Sequence, residues 1–106
     1  CLQRFIANAK ALESTRMTWA TITPLYESEE GVEMSEWKPK TETEIDAYNA
    51  AALEIVEAEG IPVNDLNKVI MQNDFSKCLT QDGCHMTEFG NEVLSDAVVK
   101  AVTALF

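Results

Sequence analysis

A chain of 106 residues has room for one small domain, and a composition of 46% apolar and 25% charged residues is that of an ordinary globular protein. No apolar run approaches the roughly 18 residues of a membrane span, and no basic segment leads into an apolar stretch as a signal peptide would. The net charge of −10 repels phosphates and anionic lipid, so neither nucleic acid nor a membrane surface is an expected partner.

Leu2, Phe5, Ile6, Ala9 and Leu12 recur at helical spacing and predict a first helix reaching about Glu13. Cys1-Leu2-Gln3-Arg4-Phe5 reads as the inside of that helix with no initiator Met before it. A piece of a longer protein is therefore expected, rather than processing to a functional N-terminal cysteine. Met17 to Thr23 is rich in β-branched and aromatic residues and is stopped by Pro24. With few charges on either alternating set, it reads as an interior strand covered on both faces.

Residues 25–40 read as a long loop containing Gly31 and Pro39. Between Glu27 and Asp46 eight acids stand against Lys38 and Lys40. They lack the spacing of a known calcium loop, so a solvated surface is expected there. A second helix follows, with Thr41 and Glu44 in capping-box spacing and Ile45, Tyr48, Ala52, Ile55 and Val56 as its buried face. Gly60 suits the position just past its end, and Pro62 forbids continuation. Ile61 to Leu66 predicts a second strand. Asp65 caps a short helix carrying Leu66, Val69 and Ile70, and residues 73–86 read as loop. Thr87 caps a last helix with Phe89, Val93, Leu94, Ala97, Val98, Ala101, Val102 and Leu105 on its apolar side.

Strands alternating with helices predict an α/β fold with parallel strands joined by right-handed crossovers. Two strands make a poor sheet, since three or more are usually needed, so this order predicts part of a doubly wound sheet. The strand at 17–23 would then present a bare apolar edge, expected to be covered either by another copy of the chain, through self-association, or by further sequence of the parent protein.

Of the three cysteines, Cys78 and Cys84 could bridge locally, yet an odd count fits free thiols equally well. A zinc site from Cys78, Cys84 and His85 lacks a second Cys or His pair, so no metal or other cofactor is expected.

His85 is the only histidine. It lies in a polar loop, with Asp82 three residues earlier. A turn can bring a carboxylate at that spacing onto the imidazole Nδ1–H, leaving Nε2 to take a proton from a nucleophile. Read alone, so short a pattern favours the plainer reading, a solvent-exposed histidine beside an ordinary Asp-Gly turn.

Asp82-Gly83-Cys84-His85-Met86-Thr87-Glu88-Phe89-Gly90, running into a C-terminal helix, resembles the last sequence block of the SGNH (GDSL-like) hydrolases. Trp19-Ala20-Thr21-Ile22-Thr23-Pro24 resembles that family's fourth strand. Tyr48-Asn49 through Gly60-Ile61-Pro62-Val63-Asn64-Asp65-Leu66 resembles the helix and fifth strand that follow. The likeness runs in the right order over nearly the whole chain, and Asp-x-x-His is its most specific part. It implies a three-layer, flavodoxin-like α/β/α sandwich in which residues 1–106 form the C-terminal part of a single domain. It also implies an esterase acting on a small-molecule carboxylic ester through an acyl-enzyme, acetyl esters of carbohydrates among the substrates, with His85 as general base and Asp82 as its orienting carboxylate.

The chain departs from that family in lacking its Gly-Asp-Ser block and its oxyanion glycine and asparagine blocks. Ser14, Ser28, Ser35, Ser76 and Ser95 all fall outside any strand-to-helix turn. These residues are therefore expected to be inactive by themselves, the nucleophile belonging to a parent protein. Trp19 and Phe89 are expected in the core. Tyr26 and Trp37, in the long loop after a strand, are expected to line the substrate cleft by analogy with open α/β sheets. Two other readings stand beside the esterase: a non-catalytic binding or assembly module in which Asp82 and His85 are structural, and a metal-binding fragment.

Overall fold

The computed structural model describes residues 1–12, 15–27, 30–37 and 42–106. It is a small mixed α/β fold built on two parallel strands, β1 (Trp19–Ala20) and β2 (Val63–Asn64), with Trp19 opposite Val63 and Ala20 opposite Asn64. Five α-helices are described, α1 (Leu2–Lys10), α2 (Glu42–Ala58), α3 (Leu66–Gln72), α4 (Phe75–Cys78) and α5 (Glu88–Thr103), with a 3₁₀ turn at Met34–Glu36. The radius of gyration is 15.7 Å, above the roughly 13 Å of a compact chain of about 100 residues. An elongated chain has a thin core: most of its buried apolar residues fall into two separate clusters, while Ile70 and Cys78 are buried outside them.

The first cluster gathers Ile6, Val56 and Ile61, with Leu2, Met17, Trp19 and Leu53 packed against it. Helix α1 contributes Ile6, while Phe5 and Leu12, expected on the same buried stripe, are exposed. Glu13, the expected end of that helix, lies outside the described residues. Lys10 in the last turn of α1 reaches the carbonyl and the carboxylate of Glu59, each at 2.7 Å, which ties α1 to the end of α2. That pair is solvent-exposed and sets direction more than stability.

The strand expected over Met17–Thr23 is much shorter, for a reason visible in the hydrogen bonds. The ladder runs from Trp19 N–H on the Pro62 carbonyl (2.9 Å) to Thr21 N–H on the Asn64 carbonyl (3.2 Å). At Ile22 side chains replace a neighbouring strand. Asn49 Oδ1 accepts from Ile22 N (2.8 Å), its Nδ2 donates to Ile22 O (3.1 Å), and Asn67 Nδ2 donates to the same carbonyl (2.9 Å). An amide offers donor and acceptor together and can mimic one rung of a sheet.

That exchange also rotates α2 away from its expected face. Val56 is fully buried and Ile45, Ala52 and Ile55 are half-buried, but Tyr48 is 67% exposed while Asn49 is only 8% exposed. A buried polar group needs its partners, and Asn49 finds them at Ile22. Thr41, the expected cap of α2, lies outside the described residues. The other end of the helix is as expected. Gly60 N–H donates to Glu57 O (3.0 Å) and Ile61 N–H to Val56 O (3.0 Å), with Gly60 at φ +71°, a Schellman stop that only glycine adopts without strain.

Strand β2 is likewise shorter than Ile61–Leu66, because Asp65 already begins α3. Its Oδ1 accepts from Lys68 N (3.2 Å) and from the Thr21 hydroxyl (2.8 Å). The segment expected to be loop contains α4 and an antiparallel bridge between Leu79 and Met86. Four residues are too few for a periodic signal; the helix forms because Asp74, at φ +58°, caps Ser76 N (3.1 Å).

Thr87 caps α5 as expected, accepting from Gly90 N (3.1 Å), and α5 lies on α3 and α4. Its apolar side is incompletely covered: Phe89, Val98 and Val102 are exposed, so Phe89 is not a core residue, and Trp19 is only half-buried. Among the described residues no helix is long and apolar enough to cross a membrane.

Candidate active site

Residues 79–87 fold back on themselves. Thr80 N–H donates to His85 O (2.9 Å) and Thr87 N–H to Cys78 O (2.8 Å), flanking the Leu79–Met86 bridge. Gly83 N–H donates to Thr80 O (2.9 Å), closing a β-turn over 80–83. At the centre of this loop the Asp82 carboxylate acts as a local template. Its Oδ1 accepts from the Thr80 hydroxyl (2.6 Å), Cys84 N (2.9 Å) and His85 N (2.9 Å), and its Oδ2 meets His85 Nδ1.

An aspartate bonding the amide two residues on forms an Asx turn, which explains the Asp-Gly pair here. Chiefly the Thr80 hydroxyl, then the Cys84 and His85 amides and the imidazole, hold the Asp82 carboxyl well below the usual carboxylate range. Asp82 is therefore ionised at neutral pH and can only accept. The nitrogen facing it must carry a proton, so in the neutral ring the tautomer is Nδ1–H and the lone pair lies on Nε2.

The loop is seated on the segment after β1. Tyr26 N–H donates to Gly83 O (2.9 Å), and a Cβ on Gly83 would stand 1.8 Å from Tyr26 O, so the two backbones touch where only glycine fits. With Gly83 at φ +71°, the position is closed to other residues on two counts. Tyr26 is 2% exposed and belongs with Trp37 and Leu79 to the second apolar cluster. Its ring stacks on Phe75 at 3.9 Å, and its hydroxyl lies 2.9 Å from Met71 Sδ. Trp37 donates from Nε1 to Val32 O (3.2 Å). Both aromatics, expected to line the cleft, are thus packed beneath the loop and offer no open face to a ligand.

Asp82 and His85 are brought together as expected. The His85 side chain is 79% exposed, and among the described residues no hydrogen bond engages its Nε2. Ser14 and Ser28 lie outside the described residues. Ser76 bonds Asp74 at 2.6 Å, and neither Ser35 nor Ser95 bonds His85. The three cysteines are free; Cys84 is exposed, whereas burial, with the Asp74 charge, pushes the Cys78 thiol up and so disfavours its thiolate. Among the described residues no three His, Cys, Asp or Glu side chains come together as metal ligands.

Two contributors escape sequence reasoning. The Thr80 hydroxyl is legible as a Thr-x-Asp turn pattern, but the backbone of Tyr26 carries no side-chain signal. No protein-family model matches the chain, and no curated protein matches it.

Proposed function

We propose that Asp82 and His85 are the acid–base half of a serine esterase site of SGNH type. In this reading the three-layer, flavodoxin-like domain and its nucleophile are completed by sequence outside these 106 residues. The observation that carries it is the division of labour on Asp82: Oδ1 is occupied by three donors, and Oδ2 holds His85 Nδ1. That arrangement presents Nε2 outward as a proton acceptor.

A serine hydroxyl reaching Nε2 would give up its proton as its oxygen attacks the ester carbonyl. His85 would return that proton to the leaving alkoxide, and water activated by the same nitrogen would hydrolyse the acyl-serine. The substrate is a small-molecule carboxylic ester, acetylated carbohydrates among them. The same reading puts a further strand on the free edge of β1, from another copy or from the rest of the protein.

One observation favours the non-catalytic alternative. By bonding the Cys84 and His85 amides, Asp82 already has a structural task that needs no chemistry. Hydrolysis of p-nitrophenyl acetate by the intact protein separates the two. The esterase reading expects turnover that falls at least about a hundredfold in His85→Ala. Turnover unchanged by that substitution, or absent from the intact protein, sinks it.

A further inference from the structure

Thr80 commits every polar group it has to the 79–87 loop. Its N–H donates to His85 O at 2.9 Å, its carbonyl accepts from Gly83 N at 2.9 Å, and its hydroxyl donates to Asp82 Oδ1 at 2.6 Å. The backbone bonds already close the loop, so the hydroxyl is free for a separate task. Of the three donors on Oδ1, the amides of Cys84 and His85 are delivered by the turn itself. The Thr80 hydroxyl is the only side chain among them. It comes from two residues before Asp82, whereas the two amides come from two and three residues after it, and so it opposes rotation of the carboxylate about its Cβ–Cγ bond. This matters because a half-exposed carboxylate is otherwise free to swing, a terminal torsion of this kind being broad.

We propose that Thr80 is the positioning residue of the Asp82–His85 pair: its hydroxyl locks Oδ1, so that Oδ2 meets His85 Nδ1 and the ring is held with Nε2 outward. The catalytic consequence rests on the esterase reading; the geometric claim does not. A threonine, with a β-branched and therefore stiff χ1, suits such a lock better than a serine would in entropy, though either supplies the donor. The depressed carboxyl of Asp82, to which the same hydroxyl contributes most, agrees with it.

The test compares Thr80→Val, which keeps the shape and removes the donor, with Thr80→Ser, which keeps the donor. Two NMR readouts on the intact protein need no substrate: the acid titration midpoint of the Asp82 carboxyl carbon, and the ring ¹⁵N shifts of His85 that report its tautomer. Thr80→Val is expected to raise the Asp82 midpoint and to admit the Nε2–H tautomer, with the Tyr26 and Gly83 amide shifts unmoved. Thr80→Ser is expected to match the parent in both.

Unchanged readouts in Thr80→Val, or a Thr80→Ser variant that behaves like it, overturn the proposal. Should valine displace the Tyr26 and Gly83 amides, Thr80→Ala takes its place: a raised midpoint and the Nε2–H tautomer support the proposal, and unchanged values overturn it. In hydrolysis, Thr80→Val is expected to lower kcat on the order of tenfold with KM unchanged, as loss of an orienting partner does. Tautomer exchange in a protein that hydrolyses nothing sinks the esterase reading and leaves the role of Thr80. Unmoved ring shifts in an active enzyme sink the role of Thr80 and leave the esterase.

Discussion

Around Ile6, Val56 and Ile61 the chain is held by apolar contact, with Leu2, Met17, Trp19 and Leu53 packed on three buried aliphatic side chains. Around Asp82 it is held by hydrogen bonds that converge on one carboxylate, above an aromatic cluster of Tyr26 and Trp37. Apolar contact is non-directional and by itself resists sliding only weakly. Here Phe5 and Leu12 of the first helical segment remain exposed, and the indole N–H of Trp19 is buried without a partner among the described residues. The polar end tolerates no sliding, because each bond to Asp82 needs its donor within a few tenths of an ångström. Non-directional burial gathers helices, whereas directional bonds place a ring nitrogen. A base needs the second kind.

The widest test of that contrast uses two glycines that share φ +71°. Gly83→Ala drives a Cβ to 1.8 Å from the Tyr26 carbonyl, backbone against backbone with nothing able to give. It is expected to cost about 3 kcal/mol or more in chemical denaturation and to release the loop from Tyr26. Gly60→Ala meets open space and carries the strain alone, about 1 kcal/mol. Equal losses at the two sites would break the comparison.

Between them falls Val56→Ala, which empties a fully buried site in the apolar cluster and is expected to cost about 2–3 kcal/mol. Its effect should be global, with the Asp82 and His85 chemical shifts unmoved until the protein unfolds. A shift of those resonances at low denaturant would mean that the two ends are coupled.

The smallest effect is electrostatic and local. Since the folded-state pKa of Asp82 is depressed, its contribution is complete above the unfolded value near ~4 and is lost as pH falls through the lower folded value. The protection factors of the Cys84 and His85 amides, with the intrinsic pH dependence of exchange divided out, should therefore be flat from neutrality down to that region and fall below it, while Val56 and Ile61 stay protected. Loss of protection that begins above pH ~5 would contradict the ionised carboxylate as the hub.

What the sequence determined by itself is whatever a short run of residues decides. Gly60 with Pro62 ends α2, Asp65 and Thr87 cap their helices, and Asp82-Gly83-Cys84-His85 folds into a turn that returns the carboxylate to the imidazole, because the bonded atoms are at most three residues apart. Helical periodicity likewise marks α1, α2 and α5 as elements.

Tertiary structure decided the rest. Which face of α2 turns inward depends on Ile22, 27 residues away, whose backbone takes up the Asn49 amide and leaves Tyr48 outside. Tyr26 and Trp37 lie beneath the loop because Gly83 docks on the Tyr26 backbone, a contact of bare main chain that no side-chain pattern encodes. Local hydrogen bonds are legible because their partners are neighbours; burial is not, because it depends on what another segment brings to the same place.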